Sequence, residues 1–193
     1  MKITLIVTDA SPLITLAVAD ALDTLLLLEI KVIIPDMVNF EVTRHRNKPG
    51  SKEIQEWIIS HQFKQVFVGN TEVYSEFTIL HALNPSTRSN NRGEQAAAEI
   101  LKKELENGID AAIFLFEDSD IKKAGFLVRL PDNVLVMSTS AFLDGLQHIN
   151  LIASADKILQ KAVSIRGNEV ANRSILPMPG VEDREDSWSS TFV

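Results

Sequence analysis

The chain has 193 residues, no cysteine and a formal net charge of −7, with 26 acidic residues against 19 basic ones. That length builds one sizeable core and falls short of two full domains. The absence of cysteine excludes disulfides, thiolate zinc sites and cysteine nucleophiles. Four scattered histidines (His45, His61, His81, His148) lack metal-ligand spacing. Net acidity argues against non-specific binding to nucleic acid, which needs basic surface to release counterions. The charge is uneven, however: "RHRNK" (44–48) and "STRSNNR" (86–92) are locally basic, while the tail "GVEDREDSWSSTFV" is acidic.

In chain order, "ITLIV" (3–7) reads as a first strand. Ser11 and Pro12 then open a helix towards Ala19. Asp9 and Pro12 interrupt the apolar amino terminus, so a secretory signal is not expected. "LLLLEIKVII" carries Glu29 and Lys31, too charged and too short to span a bilayer. The expectation is a soluble cytoplasmic protein with no membrane contact.

"VII" (32–34) is the second strand, and Asp36 a cap for a helix over "MVNFEVTR". "SKEIQEWIISHQ" is a helix with a serine cap, and "QVFV" (65–68) a third strand. A helix over 72–82 and the polar loop "NPSTRSNNR" follow. "GEQAAAEILKKELENG" is the clearest helix, closed by Gly108. "AAIFLF" (111–116) and "VLVM" (134–137) are strands four and five, and two further helices follow in "TSAFLDGLQ" and "SADKILQKAVSI". Alternating strands and helices predict an α/β fold, an α/β/α sandwich around a parallel sheet of about five strands. Residues 1–168 are expected to form this domain and 169–193 a partly disordered extension.

"AAIFLFEDSD" ends an apolar run with Glu117, Asp118 and Asp120. Two carboxylates about 4 Å apart repel by ~4 kcal/mol at an effective dielectric of 20. Such crowding requires either divergence into water or a positive partner. Ligands of open parallel sheets bind beyond the carboxyl ends of the strands. Asp9 follows strand one there, Asp118 strand four, and Ser138 and Thr139 strand five. Glu94 heads the stripe Ala98, Leu101, Leu105 on the long helix, and Glu41 sits among Met37, Val38 and Phe40. Each acid has a plain structural alternative: Asp9 as a helix cap, Glu94 favoured by the helix dipole, Glu41 paired with Arg44 or His45. Their joint placement at one edge favours a hard divalent cation, Mg²⁺ or Mn²⁺, which takes oxygen ligands.

With these motifs in hand, the chain resembles a PIN-domain protein of the VapC-like branch. The likeness rests on "VTDASPLI", Glu41 in "FEVTR", "NRGEQAAAEI", "FEDSD" and "STSAFLDGL", and covers about residues 4–165. It implies a metal-dependent endoribonuclease, the toxin component of a toxin–antitoxin pair, with an RNA substrate, a cognate antitoxin protein and a homodimeric state. By the resemblance, Asp9, Glu94 and Asp118 are principal metal ligands, Glu41 and Asp120 complete the set, and Thr139 positions water. Ser11 matches a small hydroxyl position. Arg44, Arg46, Arg88 and Arg92 are candidates for backbone contacts, against a role in surface solvation.

Two rival readings stand beside it. One is a catalytically inactive PIN-fold binding or regulatory protein. The other takes "FLFEDSD" as the Asp-x-Asp signature of a haloacid-dehalogenase-like phosphatase, with Asp118 as nucleophile and Asp120 as acid/base. That motif usually lies on the first strand and tolerates Lys122 poorly.

Overall fold

Five apolar runs become parallel strands in the computed structural model, which describes residues 2–117, 130, 132–166 and 175–176. They are β1 (Ile3–Thr8), β2 (Lys31–Pro35), β3 (Val66–Gly69), β4 (Ala111–Leu115) and β5 (Val134–Met137). The expected five parallel strands are joined by a two-residue β6 (Ile175–Leu176), antiparallel to β5 and inside the stretch assigned to the extension. The rest of that extension lies outside the described residues. The strand order is β3-β2-β1-β4-β5-β6.

Side chains alternate across the sheet, as strand geometry demands. Ile3, Ile6, Ile113 and Leu115 face one core, while Leu5, Val7, Ala112 and Phe114 face the other. A sheet buried on both faces needs helices on both. The first core is covered by α1 (Ala10–Val18), α3 (Ser51–His61), α6 (Thr139–His148) and α7 (Ala155–Arg166). The second is covered by α5 (Arg92–Glu106), whose Ala97, Ile100 and Leu101 are buried against β1, β2 and β4. Trp57 of α3 is buried, as core packing predicts, and its indole N–H donates to Asp23 at 2.8 Å.

α2 (Asp36–Thr43) and α4 (Glu72–Leu83) lie beside α5. They meet in a small cluster around Met37, Phe77 and Ala96. The α5 helix ends where the sequence indicates: Gly108 takes φ 95°, the left-handed conformation that glycine adopts without a Cβ penalty.

Several polar roles differ from expectation. Asp36 does not cap α2, whose flanking residue is Pro35. Its buried carboxylate accepts from the Met37 N–H (2.9 Å), the Thr71 N–H (2.9 Å) and the Thr71 hydroxyl (2.6 Å). It therefore joins α2 to the start of α4, a long-range tie invisible to a local capping pattern. Gly50, not Ser51, caps α3, and the Ser51 hydroxyl is buried with no hydrogen-bond partner among the described residues. Glu99 lies off the apolar stripe of α5, where a solvent-facing role is the default. Instead it accepts from the N–H groups of Glu72 (2.7 Å) and Val73 (3.3 Å), supplying the acceptor that the first turn of α4 lacks.

Asp36→Ala should destabilise the protein by about 2–3 kcal/mol, because it leaves the Thr71 N–H without its charged acceptor in a buried setting. Urea denaturation of the two proteins checks this; equal midpoints would remove the tie from the account.

Candidate metal and nucleic-acid site

The strand order reverses at β1, which pairs with β2 on one side and β4 on the other. At such a switch point the crossovers leave in opposite directions and open a crevice beyond the strand ends. Asp9 is the first residue after β1, and its N–H donates to the Leu115 carbonyl at the end of β4 (3.0 Å). Its side chain makes no capping hydrogen bond to α1, and only 7% of the residue is exposed. The simple capping role is therefore not the one it plays.

The start of α5 closes on this edge. Gly93 comes so near that a Cβ there would stand 3.1 Å from Asp9 Oδ1 and 3.2 Å from Glu41 Oε2. Two carboxylates, one at the end of β1 and one on α2, thus border one small space, kept open because residue 93 has no side chain. Glu94 follows directly, and its charge acts on Glu41. Burial pushes the Glu41 carboxyl above its ordinary range; a hydrogen bond from Ser89 pulls it down, Glu94 raises it and Arg44 lowers it. Of the two partners that the plain alternative offers, Arg44 and His45, Arg44 acts on Glu41 through its charge.

Ser89 belongs to the loop before α5 and was not anticipated as a neighbour of the acids. The loop is shaped by Asn91 at φ 58° and by the Arg92 N–H donating to the Ser89 carbonyl (3.0 Å). Its "SNNRG" composition is the sequence trace of that turn.

Glu117 is held by α1 and α7: its Oε2 accepts from Thr15 Oγ1 (2.7 Å) and from Arg166 Nη1 (2.8 Å). Arg166 also donates to the Ser11 carbonyl (2.9 Å) and the Thr15 hydroxyl. The positive partner demanded by the crowded acids is, for Glu117, a guanidinium from α7. Asp118 and Asp120 lie outside the described residues. Thr139 is fully buried, and its hydroxyl has no hydrogen-bond partner among the described residues. Ser138 caps α6, accepting from the Ala141 N–H (3.2 Å).

Among the described residues, no three histidine, aspartate or glutamate side chains gather as a metal site. The structure brings Asp9 and Glu41 together, with Glu94 beside them. A cradle whose polar border at Gly93 is two carboxylate oxygens, with Val38 as its apolar wall, fits a hard divalent ion better than a soft one.

Residues 5–87 match the family model DUF3368, a PIN domain. The match supports a PIN-domain protein and spans less than half of the chain. It includes Asp9 and Glu41 and stops before Glu94 and Asp118. PIN domains are generally nucleases and usually use divalent metals, so the family-level inference is a hydrolase acting on nucleic acid. No curated protein matches the chain. Among the described residues, no helix is long and apolar enough to cross a membrane.

A carboxyl with a raised pKa binds its proton more tightly in the folded protein than in the unfolded chain. Its ionisation therefore costs stability, an effect absent below the unfolded value and fully present above the raised one. In metal-free solution Glu41→Gln should match the wild type at acid pH and unfold at higher temperature at neutral pH. A relief of about 1 kcal/mol would read as roughly 2–4 °C in a chain of this size. A melting-temperature difference that does not grow with pH would contradict the assigned burial of charge.

Proposed function

We propose that the protein is a metal-dependent endoribonuclease that hydrolyses RNA phosphodiester bonds. The observation that carries this reading is the shared Asp9–Glu41 cradle at the β1/β4 switch point, opened by Gly93, in a chain whose first half matches a PIN domain. In this reading Asp9, Glu94 and Asp118 are the principal ligands of Mg²⁺ or Mn²⁺, with Glu41 or Asp120 completing the site. The ion, when bound, would favour hydroxide formation from water and neutralise charge on the phosphodiester.

The remaining roles belong to the chain itself. Asp9 is fixed by its backbone bond to Leu115, so its carboxylate is held at the strand end without reorganisation. Ser89 keeps Glu41 turned towards the edge by donating to it. The Thr139 hydroxyl is a buried donor with no partner among the described residues, suited to orienting a water at the site. In the net reaction water oxygen bonds to phosphorus, the bond to the leaving sugar oxygen breaks, and that oxygen takes up a proton. The VapC-like likeness of "DASPLI" and "RGEQAAAEI" extends the proposal to a toxin restrained by a cognate antitoxin and acting as a homodimer.

Purified protein should cleave single-stranded RNA with Mg²⁺ or Mn²⁺ and stop in EDTA. Asp9→Asn should lower the rate on the order of 100-fold or more, as loss of a metal-supporting group does, while its melting temperature is kept. Undiminished cleavage by that variant would remove the assignment.

A further inference from the structure

Four arginines lie near the acid site in sequence, and the structure separates them. Arg46 and Arg88 are exposed, with no aromatic ring beneath them among the described residues. Arg44 lies over the Phe40 ring, with Cζ 5.4 Å from the centroid. Arg92 lies over the Phe77 ring at 5.5 Å. Those rings are neighbours, with centroids 5.4 Å apart. Both cations therefore rest on one aromatic platform, built by α2 and α4 and held firm by the burial of Phe77. His81 stacks on the far turn of α4 against the same ring, 5.2 Å away.

The two guanidinium groups are positioned by the rings, and the Arg44 charge also acts on Glu41. Among the described residues, no salt bridge within 4.0 Å joins Arg44 or Arg92 to a carboxylate. Lys31, Lys52, Lys102 and Arg166 are all paired with glutamates. Both arginines also flank the acids: Arg44 closes the helix carrying Glu41, and Arg92 directly precedes Gly93 and Glu94. A polyanion approaching three carboxylates is repelled unless cations beside them hold it. A planar guanidinium offers paired donors to phosphate oxygens, and stacking on a ring reduces the entropy lost in binding.

We propose that Arg44 and Arg92 form a phosphate clamp, holding the RNA backbone across the α2–α4 platform beside Asp9, Glu41 and Glu94. This rests on the nuclease reading and names the residues that would bind its substrate. The clamp acts on phosphate and not on bases, so it contributes affinity without sequence preference.

The test is fluorescence anisotropy of the full chain with a labelled mixed-sequence single-stranded RNA, in EDTA, over a range of salt. Arg44→Gln and Arg92→Gln should each weaken binding about three- to tenfold and lower the slope of log K against log salt by about 0.7. Lys52→Gln, in an exposed pair on α3, should change neither. If a glutamine variant fails to fold by thermal unfolding, the lysine variant replaces it: its salt slope should be kept and its affinity reduced. Glutamine variants, or the lysine substitutes, that bind as tightly as wild type would overturn the clamp and leave the nuclease reading standing. Absence of RNA binding and of cleavage by the wild type would overturn both.

Discussion

The close approach of α5 to the carboxyl edge of the sheet is the constraint on which the rest of the site depends. The helix is anchored through Ala96, Ala97, Ile100 and Leu101, all buried. Its axial position is thereby set by packing, not by the acids at its start. With that position fixed, residue 93 must fit between Asp9, Glu41 and Val38, where a Cβ would sit within 3.5 Å of all three. Apolar burial along the helix thus brings Asp9 and Glu41 to one space with Glu94 beside them, and the repulsion of Glu94 on Glu41 is met by the stability of the core. Local sequence preference alone would never assemble such a group.

The acids of this chain divide by whether a donor already holds them. Glu117 is taken by Arg166 and Thr15, Asp36 by Thr71, Glu99 by the first turn of α4, and Glu104 by Lys31. In each of these, donors of the protein stand where water would otherwise bind. Glu41 is the exception, since its burial outweighs the help of Ser89 and Arg44 and its carboxyl is pushed up. A group whose environment disfavours its charge is poised to gain from a cation or a proton, which is the ordinary signature of functional rather than structural acids.

The strands were legible because their signal is local and apolar: "ITLIV", "AAIFLF" and "VLVM" coincide with β1, β4 and β5 to within a residue or so. Their order was legible only as a class, since parallel strands joined by helices restrict the topologies without naming the switch point. Asp9 and Glu94 could be associated because each stands at the end or beginning of an element that the pattern locates, and Glu41 because it is a charge among the apolar residues Met37, Val38 and Phe40. Arg166 could not be associated with Glu117, as 49 residues separate them and neither motif hints at the other. Ser89 was hidden for a related reason. A serine in a polar loop carries no signal until the positive φ of Asn91 turns that loop back on α2.

The distribution of positive charge gives the net acidity of the chain a different sense. With a formal charge of −7, long-range attraction does not draw a polyanion to the surface at large. Most lysines described as paired are bound to glutamates on their own helix or on a neighbour, which cancels their field at a distance. Arg44 and Arg92 stand beside the acids without a salt bridge among the described residues, their charge fixed in direction by aromatic rings. Screening confines such charges to about 8 Å at physiological ionic strength. Their influence is therefore local to the strand edge. An acidic body with a small, preorganised cationic rim discourages adsorption of nucleic acid elsewhere and favours the one place where a phosphodiester would meet Asp9 and Glu41.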